Sequence, residues 1–306
     1  MSVSEDVRHE LAAIAPRRDC DRLAEVSALF HTAGSLHLRG RGEVSLHLDL
    51  ASGATARRAF ALLRAFDVAS EIRTYRRRAF DRATRYQLHV GGEARTLQLL
   101  HEAGVLTSGL APLDRPPKRV VRRGCCRAAY LRGALLGAGS VTGPRRPHLE
   151  IRSATREGAE LIARLAAAED VRLQVHERNG HALAYAKGAE PIADLLALAG
   201  AGETALAFDE AAVVAEARAR ANRLTNADHA NLVRAGRAAH AQVRALRRLE
   251  RSGELERMPK PLREIAELRF RHPAATLAEL AEKSRPRTTK ATAHRRLQRL
   301  IRLAAP

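Results

Sequence analysis

The chain has 306 residues, of which 45% are hydrophobic and 28% charged, which is enough for a packed core in about two domains. Its 53 Lys and Arg exceed its 34 Asp and Glu, and the formal net charge of +19 favours a polyanionic partner such as nucleic acid. An arginine-rich genome would also raise this charge, although it would not explain where the charge lies. No run of about 18 apolar residues is present, and Met1 to Ala15 has no apolar segment, so we expect neither a membrane span nor a secretory signal.

The first two thirds of the chain predict a duplicated unit. The first copy, at about 21–103, starts with an apolar helix that ends at Gly34-Ser35. Period-two and helical patterns predict its further elements: strands around 36–38 and 44–48, a helix over 55–66, strands over 71–76 and 85–90, and a helix over 93–103.

The second copy, at about 125–198, repeats this order. Its first helix, over 128–137, ends at Gly139-Ser140, and 139 − 34 gives a separation of 105 residues from the first Gly-Ser turn. The elements predicted after it are a strand over 148–152, a helix over 156–168, strands over 171–177 and 181–186, and a helix over 190–198. We therefore predict an α+β domain of duplicated αββαββα order over residues 1–206.

Two segments connect the predicted domains. Residues 104–124 contain Pro112, Pro116 and Pro117 and form a basic linker between the copies. Residues 207–259 predict a helical connector rich in alanine and arginine, broken near Asn226 and again at Ser252-Gly253.

Residues 260–306 predict an all-α helix-turn-helix domain. The first helix covers 262–271, and the second begins at a capping box in which Thr276 and Glu279 satisfy two free backbone N–H groups. After a turn over 284–287, the third helix begins at the Thr288-Thr289 cap and ends near Leu303. A short capped helix followed by a longer basic helix is typical of a recognition helix in the major groove.

Basic residues dominate the third helix, since 285–303 contains seven of them and no acid. A solvated surface helix, which is the alternative, usually mixes both signs. We predict phosphate contacts near the helix N-terminus, base contacts in the first turns and backbone contacts further along; in that order these residues are Arg287, Thr288 and Thr289, then Lys290, His294 and Arg295, then Gln298 and Arg302.

Arginines outside this domain are further candidates for phosphate contacts. On the strand pair of the first copy, alternation puts Arg76 and Arg78 on one face, which could lie on DNA as a saddle. The linker adds Arg119, Arg122 and Arg123. Ordinary surface arginines are the competing interpretation.

The cysteines and histidines predict no catalytic, metal or cofactor site. Cys20, Cys125 and Cys126 are an odd set without CxxC spacing, which fits a reducing cytosol and favours buried packing. His31 and His47 are isolated and are expected to be core or surface residues.

Three stretches resemble the WhiA family of bacterial regulators: Cys125–Ile151 with its CC-x3-YLRGA-x4-GS-V string, Asn222–Leu232, and Pro261–Arg269. The resemblance covers almost the whole chain. It implies an N-terminal domain similar to LAGLIDADG homing endonucleases and a helix-turn-helix similar to sigma-factor region four. It further implies a transcription factor in sporulation-associated septation, cell division or chromosome segregation, with a WhiB-type iron–sulfur regulator as partner. Thr292 and His294 replace the Gly and Asn expected from the family.

Homing endonucleases carry an acid before each of the two glycines, and the two acids hold a divalent metal ion. Ala33 and Ala138 stand at those positions here, and a methyl group cannot ligate a hard cation. We therefore expect a cytoplasmic, nucleoid-associated regulator that binds promoter DNA without catalysis. The alternatives are a module that docks on RNA polymerase or a partner regulator and, less favoured, a metal-dependent nuclease.

Overall fold

Two copies of one helix-and-strand order make up the N-terminal unit. The computed structural model describes residues 2–38, 44–76, 84–178 and 180–304, and its internal contacts divide the chain into units Met1–Glu216 and Ala217–Pro306. The first copy comprises α2 (Asp19–Ala33), β1 (Gly34–Leu38), β2 (Val44–Leu50), α3 (Gly53–Arg64), β3 (Ser70–Arg76), β4 (Thr84–Gly91) and α4 (Ala94–Glu102). The second comprises α5 (Gly124–Ala138), β5 (Gly139–Val141), β6 (His148–Ser153), α6 (Arg156–Ala167), β7 (Gln174–Arg178), β8 (His181–Lys187) and α7 (Ala189–Ala199).

Each copy folds into a four-stranded antiparallel sheet. The strand orders are β1-β2-β4-β3 and β5-β6-β8-β7, so the two sheets have the same topology. In β2 the side chains of Leu46, Leu48 and Leu50 are buried in the core, and alternation directs Ser45 and Asp49 to the opposite face. The predicted α+β class and its duplication are confirmed.

A helix that the sequence analysis missed precedes the first copy. Helix α1 (Val3–Ala13) buries Val7 and Leu11 in the core. Ser4 Oγ donates to the Val141 carbonyl at 2.9 Å and accepts from the Val141 N–H at 2.7 Å, so α1 protects the edge strand β5. The sequence analysis missed this helix because only two of its 11 residues are buried and apolar, which gives a weak helical pattern in a polar segment.

Some sequence predictions need adjustment. β7 begins at Gln174 rather than 171, because Asp170 adopts a left-handed conformation (φ 63°) and Val171 is buried beside the end of α6. Gly40 and Gly42, between β1 and β2, lie outside the described residues.

The connector was predicted with a break near Asn226, and that prediction is wrong. Helix α8 continues without interruption over Gly202–Arg251. The segment around Asn226 is rich in alanine and arginine, which are among the best helix formers. One asparagine lowers the stability of a helix by only a few tenths of a kcal/mol relative to alanine. The helix does end before Ser252-Gly253, where Gly253 has φ 70°.

Three further helices complete the C-terminal unit: α9 (Lys260–Arg271), α10 (Leu277–Lys283) and α11 (Lys290–Leu303). The core of this unit also contains Leu246 and Leu249 of α8, which are almost fully buried. The division between the two units falls within α8, whereas the sequence analysis placed domain boundaries at 206 and 260. Those boundaries stay a prediction.

Candidate nucleic-acid interface

Apolar packing fixes the three C-terminal helices. Ala293, Leu297 and Leu300 line one face of α11 and are fully buried against α9 and α10. Thr276 caps α10 as predicted: its Oγ1 accepts from the Glu279 N–H at 3.2 Å, and Glu279 accepts from the Thr276 N–H at 2.8 Å. The opposite face of α11 is therefore held toward solvent in one orientation.

A buried cation supports the turn between α9 and α10. Arg269 is only 2% exposed and donates to the carbonyls of Pro273 at 3.3 Å and Ala275 at 2.6 Å. Burial lowers the pKa of this guanidinium. The sequence analysis did not single out Arg269, although it lies seven residues after Leu262, on the same buried face of α9.

The outward face of α11 carries the predicted base-reading residues. Thr289 is the N-cap, and its Oγ1 accepts from the Thr292 N–H at 3.2 Å. Lys290, His294 and Arg295 are exposed on the first turns after this cap, so the structure places the three on one accessible surface. Arg302 is exposed and Gln298 half-buried further along the helix.

Two of these candidates already have internal partners. Arg287 donates to Glu282 at 2.6 Å, although both side chains remain largely exposed. Arg295 makes a long contact of 3.4 Å with Thr292 Oγ1. A phosphate would have to share or replace the Arg287 ion pair. Within the described residues, Lys290 and His294 form no side-chain hydrogen bond or ion pair that a phosphate would have to displace.

The outer face of the first sheet carries acidic and aromatic side chains as well as arginine. Arg73 pairs with Glu71 at 2.7 Å, and Tyr75 donates to Asp49 at 2.7 Å. Alternation puts Arg76 on the side of Ile72, which packs against the core, although Arg76 is exposed at the strand end. Arg78 lies outside the described residues. Phosphate contacts by these arginines stay a prediction.

Rings of three histidines meet on this same outer face. The centroids of His37 and His47 lie 4.5 Å apart, and those of His47 and His89 lie 3.9 Å apart. His47 and His89 are direct cross-strand partners in β2 and β4. The sequence analysis treated His47 as isolated, because sequence distance conceals pairing between strands.

The basic linker combines internal and exposed arginines. Arg119, in a 3-10 helix over Lys118–Val121, donates to the His101 carbonyl at 3.1 Å and so satisfies the C-terminal end of α4. Arg122 and Arg123 are exposed. Arg119 thus has a structural role that its sequence position did not reveal.

Helices α2 and α5 pack along a close seam in the centre of the N-terminal unit. A Cβ at Gly133 would lie 2.6 Å from the Glu25 carbonyl oxygen and 2.9 Å from Ala28 Cβ, so the two backbones approach too closely for a larger residue.

The C-terminal ends of the two seam helices hold the two alanines that the sequence analysis compared with the acid positions of homing endonucleases. Ala33 and Ala138 are the last residues of α2 and α5, and the last turn of each helix leaves no room for a side chain on the glycine that follows. A Cβ at Gly34 would lie 2.3 Å from the Phe30 carbonyl oxygen, and one at Gly139 would lie 2.5 Å from that of Leu135.

His31, two residues before Ala33, is half-buried in this region. Its Nδ1 lies 2.7 Å from the Ser27 carbonyl oxygen. Burial lowers the pKa of His31, against smaller opposing contributions from nearby backbone groups and Asp114. The neutral imidazole is the form that the folded state prefers.

A buried charge cluster also crosses the seam. Glu25 is fully buried and accepts from Arg58 at 2.7 and 2.9 Å and from Arg132 at 2.9 Å. Arg132 further donates to the Ala199 carbonyl at 3.2 Å. The cluster links α2, α3, α5 and the end of α7.

The opposite, N-terminal ends of α2 and α5 bring all three cysteines together with Asp21. Across the described ranges, this is the one group of three or more Cys, His, Asp and Glu side chains whose ligand atoms lie within 4.8 Å of one another. Burial raises the pKa of the Cys20 and Cys126 thiols, the latter to about 12. The expectation of separate packing cysteines missed this cluster, because its members are distant in sequence.

Models of one family match three successive parts of the chain. They are described as the WhiA N-terminal LAGLIDADG-like domain (residues 19–106), the WhiA LAGLIDADG-like domain (residues 127–218) and the WhiA C-terminal HTH domain (residues 221–304). The chain belongs to the WhiA family. The resemblance noted in the sequence is thereby confirmed.

Relatives from several bacteria support this membership. The proteins named "Probable cell division protein WhiA" from Heliobacterium modesticaldum and Symbiobacterium thermophilum are 36% and 35% identical to the chain. Each comparison covers 99% of the chain, together with 96% and 98% of the respective relative. WhiA members are thus similar to it from end to end.

Solved structures agree on the fold. Full-length DUF199/WhiA from Thermotoga maritima is 22% identical, with a TM-score of 0.57 over 99% of this chain and 98% of that one. The N-terminal LAGLIDADG domain of DUF199/WhiA is 18% identical, with a TM-score of 0.51 over 64% of this chain and 89% of that one. The family's degenerate LAGLIDADG fold is therefore present here. None of the helices in the described parts of the chain is long and apolar enough to cross a membrane.

Proposed function

We propose that the protein is a sequence-specific regulator that binds promoter DNA through α11. The observation that carries this proposal is the outward face of α11, where Lys290, His294 and Arg295 stand exposed next to a capped N-terminus on a fully packed helix. Phosphate contacts would set the affinity, and the side chains on α11 would set the sequence preference, with about 1–3 kcal/mol for each bidentate base contact.

The biological part of the proposal follows the family. The names of the relatives support a role in cell division. Chromosome segregation, sporulation-associated septation and a cytoplasmic, nucleoid-associated location are finer expectations from the same resemblance. A WhiB-type regulator and RNA polymerase are the proposed protein partners, and the exposed Leu224 and Leu232 of α8 offer apolar surface for such contacts.

We further propose that the LAGLIDADG-like unit has no nuclease activity. Ala33 and Ala138 end the two seam helices and provide no oxygen ligand for a metal ion that would activate water. Incubation of supercoiled DNA with the protein and Mg²⁺ should therefore leave the DNA intact, and metal-dependent nicking that follows the purified protein would refute this part.

DNA selection from genomic fragments at about 150 mM salt tests the main proposal. The wild type should enrich one motif, which the double variant Lys290→Ala/Arg295→Ala should lose. A matched control, Arg156→Ala/Arg164→Ala, removes the same charge from the exposed surface of α6 and should keep the motif. Binding without a motif, unchanged in the α11 variant, would instead support a protein-docking module.

A further inference from the structure

The cysteine cluster has the composition of a metal site. Cys20 and Asp21 lie in the first turn of α2, and Cys125 and Cys126 lie in the first turn of α5. Cys126 is buried and the other three side chains are partly buried, so the cluster is shielded from bulk solvent. Thiolate sulfur and carboxylate oxygen are ligands that suit zinc and related divalent ions.

The distances between these ligand atoms fit a tetrahedron. Bonds of about 2.3 Å from zinc to sulfur and about 2.1 Å to oxygen give tetrahedral edges of roughly 3.8 Å between two sulfurs and roughly 3.6 Å between sulfur and oxygen. The Sγ atoms of Cys125 and Cys126 lie 3.9 Å apart, and Cys20 Sγ lies 3.5 Å from Asp21 Oδ1. The two edges are already close to the size that one bound ion requires.

The internal duplication explains why four ligands meet here. The two copies are offset by 105 residues (139 − 34), so Cys20 corresponds to Cys125 and Asp21 to Cys126. Each copy therefore contributes two adjacent ligands from the same two positions of its seam helix. Two adjacent ligands from each copy make up the four positions that tetrahedral coordination requires.

Positive groups lie beside the cluster, and a bound ion would have to deprotonate the thiols, because burial by itself raises the pKa of Cys20 and Cys126. The N-termini of both seam helices point their free N–H groups and dipoles toward it, which stabilises thiolates. Arg18, the N-cap of α2, places a further positive charge close to Cys125. These groups offset the negative charge that three thiolates and one carboxylate would carry around a divalent ion.

We propose that Cys20, Asp21, Cys125 and Cys126 bind one zinc-class divalent ion in a tetrahedral site that joins the two copies of the LAGLIDADG-like unit. This site lies at the opposite end of the seam from Ala33 and Ala138, which a helix of 15 residues separates by roughly 20 Å. Its role is structural, because all four coordination positions are filled by protein ligands. Binding would stabilise the folded N-terminal unit by mass action.

Cobalt(II) titration of the reduced, full-length protein tests this site. We expect one Co²⁺ per chain, with a thiolate-to-cobalt charge-transfer band in the near ultraviolet and the visible bands of tetrahedral cobalt, both lost on addition of Zn²⁺. Cys125→Ser and Asp21→Asn should weaken binding by more than the ~10–100-fold cost of losing an outer-shell partner. Asp19→Asn, which removes a nearby exposed carboxylate paired with Arg22, should bind like the wild type.

Circular dichroism would establish that each variant is folded. Asp21→Asn leaves all three cysteines unchanged, including the buried Cys126. Three outcomes would overturn the site: no stoichiometric cobalt, cobalt without a thiolate band, or wild-type affinity in folded Cys125→Ser. Cobalt binding without a thiolate band would indicate that nitrogen ligands, such as the histidines of the first sheet, hold the metal instead. Wild-type affinity in Asp21→Asn alone would refute the carboxylate as fourth ligand.

Discussion

Glu25 offers a direct test of how the seam is stabilised. In Glu25→Gln the neutral amide cannot compensate Arg58 and Arg132, which are 7% and 8% exposed. Both guanidinium groups would then be buried without a counter-ion, and the amide NH2 would oppose their N–H donors. Removal of one partner from a buried ion pair costs about 3–5 kcal/mol of unfolding free energy. For a unit of about 200 residues this corresponds to a melting temperature lower by roughly 6–20 °C.

Urea denaturation followed by circular dichroism measures this loss, with Glu71→Gln as the matched control. Glu71 also accepts two hydrogen bonds from one arginine, Arg73, but both side chains are more than half exposed. An exposed pair contributes about 0–1 kcal/mol, so the control should change stability little. The reasoning would be refuted if Glu25→Gln cost no more than Glu71→Gln.

Three further predictions concern single side chains. Arg269→Ala should lower the unfolding free energy of the C-terminal unit by about 1–3 kcal/mol, because the bonds from this buried guanidinium to the carbonyls of Pro273 and Ala275 are lost. Arg271→Ala, at an exposed site, should change the unfolding free energy by no more than about 0.5 kcal/mol in the same urea titration. Burial lowers the pKa of His31, so the stability that this residue contributes is present above its unfolded pKa of about 6.5 and is lost as the pH falls toward its folded pKa. His31→Gln should therefore flatten the fall in unfolding free energy between about pH 7.5 and 5.5. An unchanged slope would contradict this assignment. Gly133→Ala should cost about 1–3 kcal/mol through overpacking of the seam, whereas Gly143→Ala, which meets nothing within 4 Å, should be tolerated in thermal denaturation.

Local signals allowed much of the fold to be predicted from the sequence. The capping box of Thr276 and Glu279 involves residues three positions apart, and the buried face of α11 repeats within a single helix. The recurrence of Gly-Ser after 105 residues indicated the duplication without any knowledge of contacts (139 − 34). Each of these signals is complete within one element or within the order of elements.

Contacts between distant segments could not be predicted in the same way. Glu25 and Arg132 are separated by 107 positions, and only the packing of α2 on α5 brings them within hydrogen-bonding distance. The same packing assembles Cys20 with Cys125 and Cys126, although no spacing between them suggests a site. The prediction of a break in helix α8 failed for a different reason. It gave too much weight to the single residue Asn226 and too little to the alanine and arginine around it.

The helix ends at Ala33-Gly34 and Ala138-Gly139 separate two requirements that a homing endonuclease motif combines. Each glycine remains where a methyl group would collide with the carbonyl of the preceding turn, while the acid position before it now carries alanine. Glycine at this place is therefore required by the end of its own helix, whereas an acid would be required by the reaction. A chain with the glycines but without the acids keeps the fold of both helix ends, and metal-dependent cleavage at this place would require carboxylates at both ends at once.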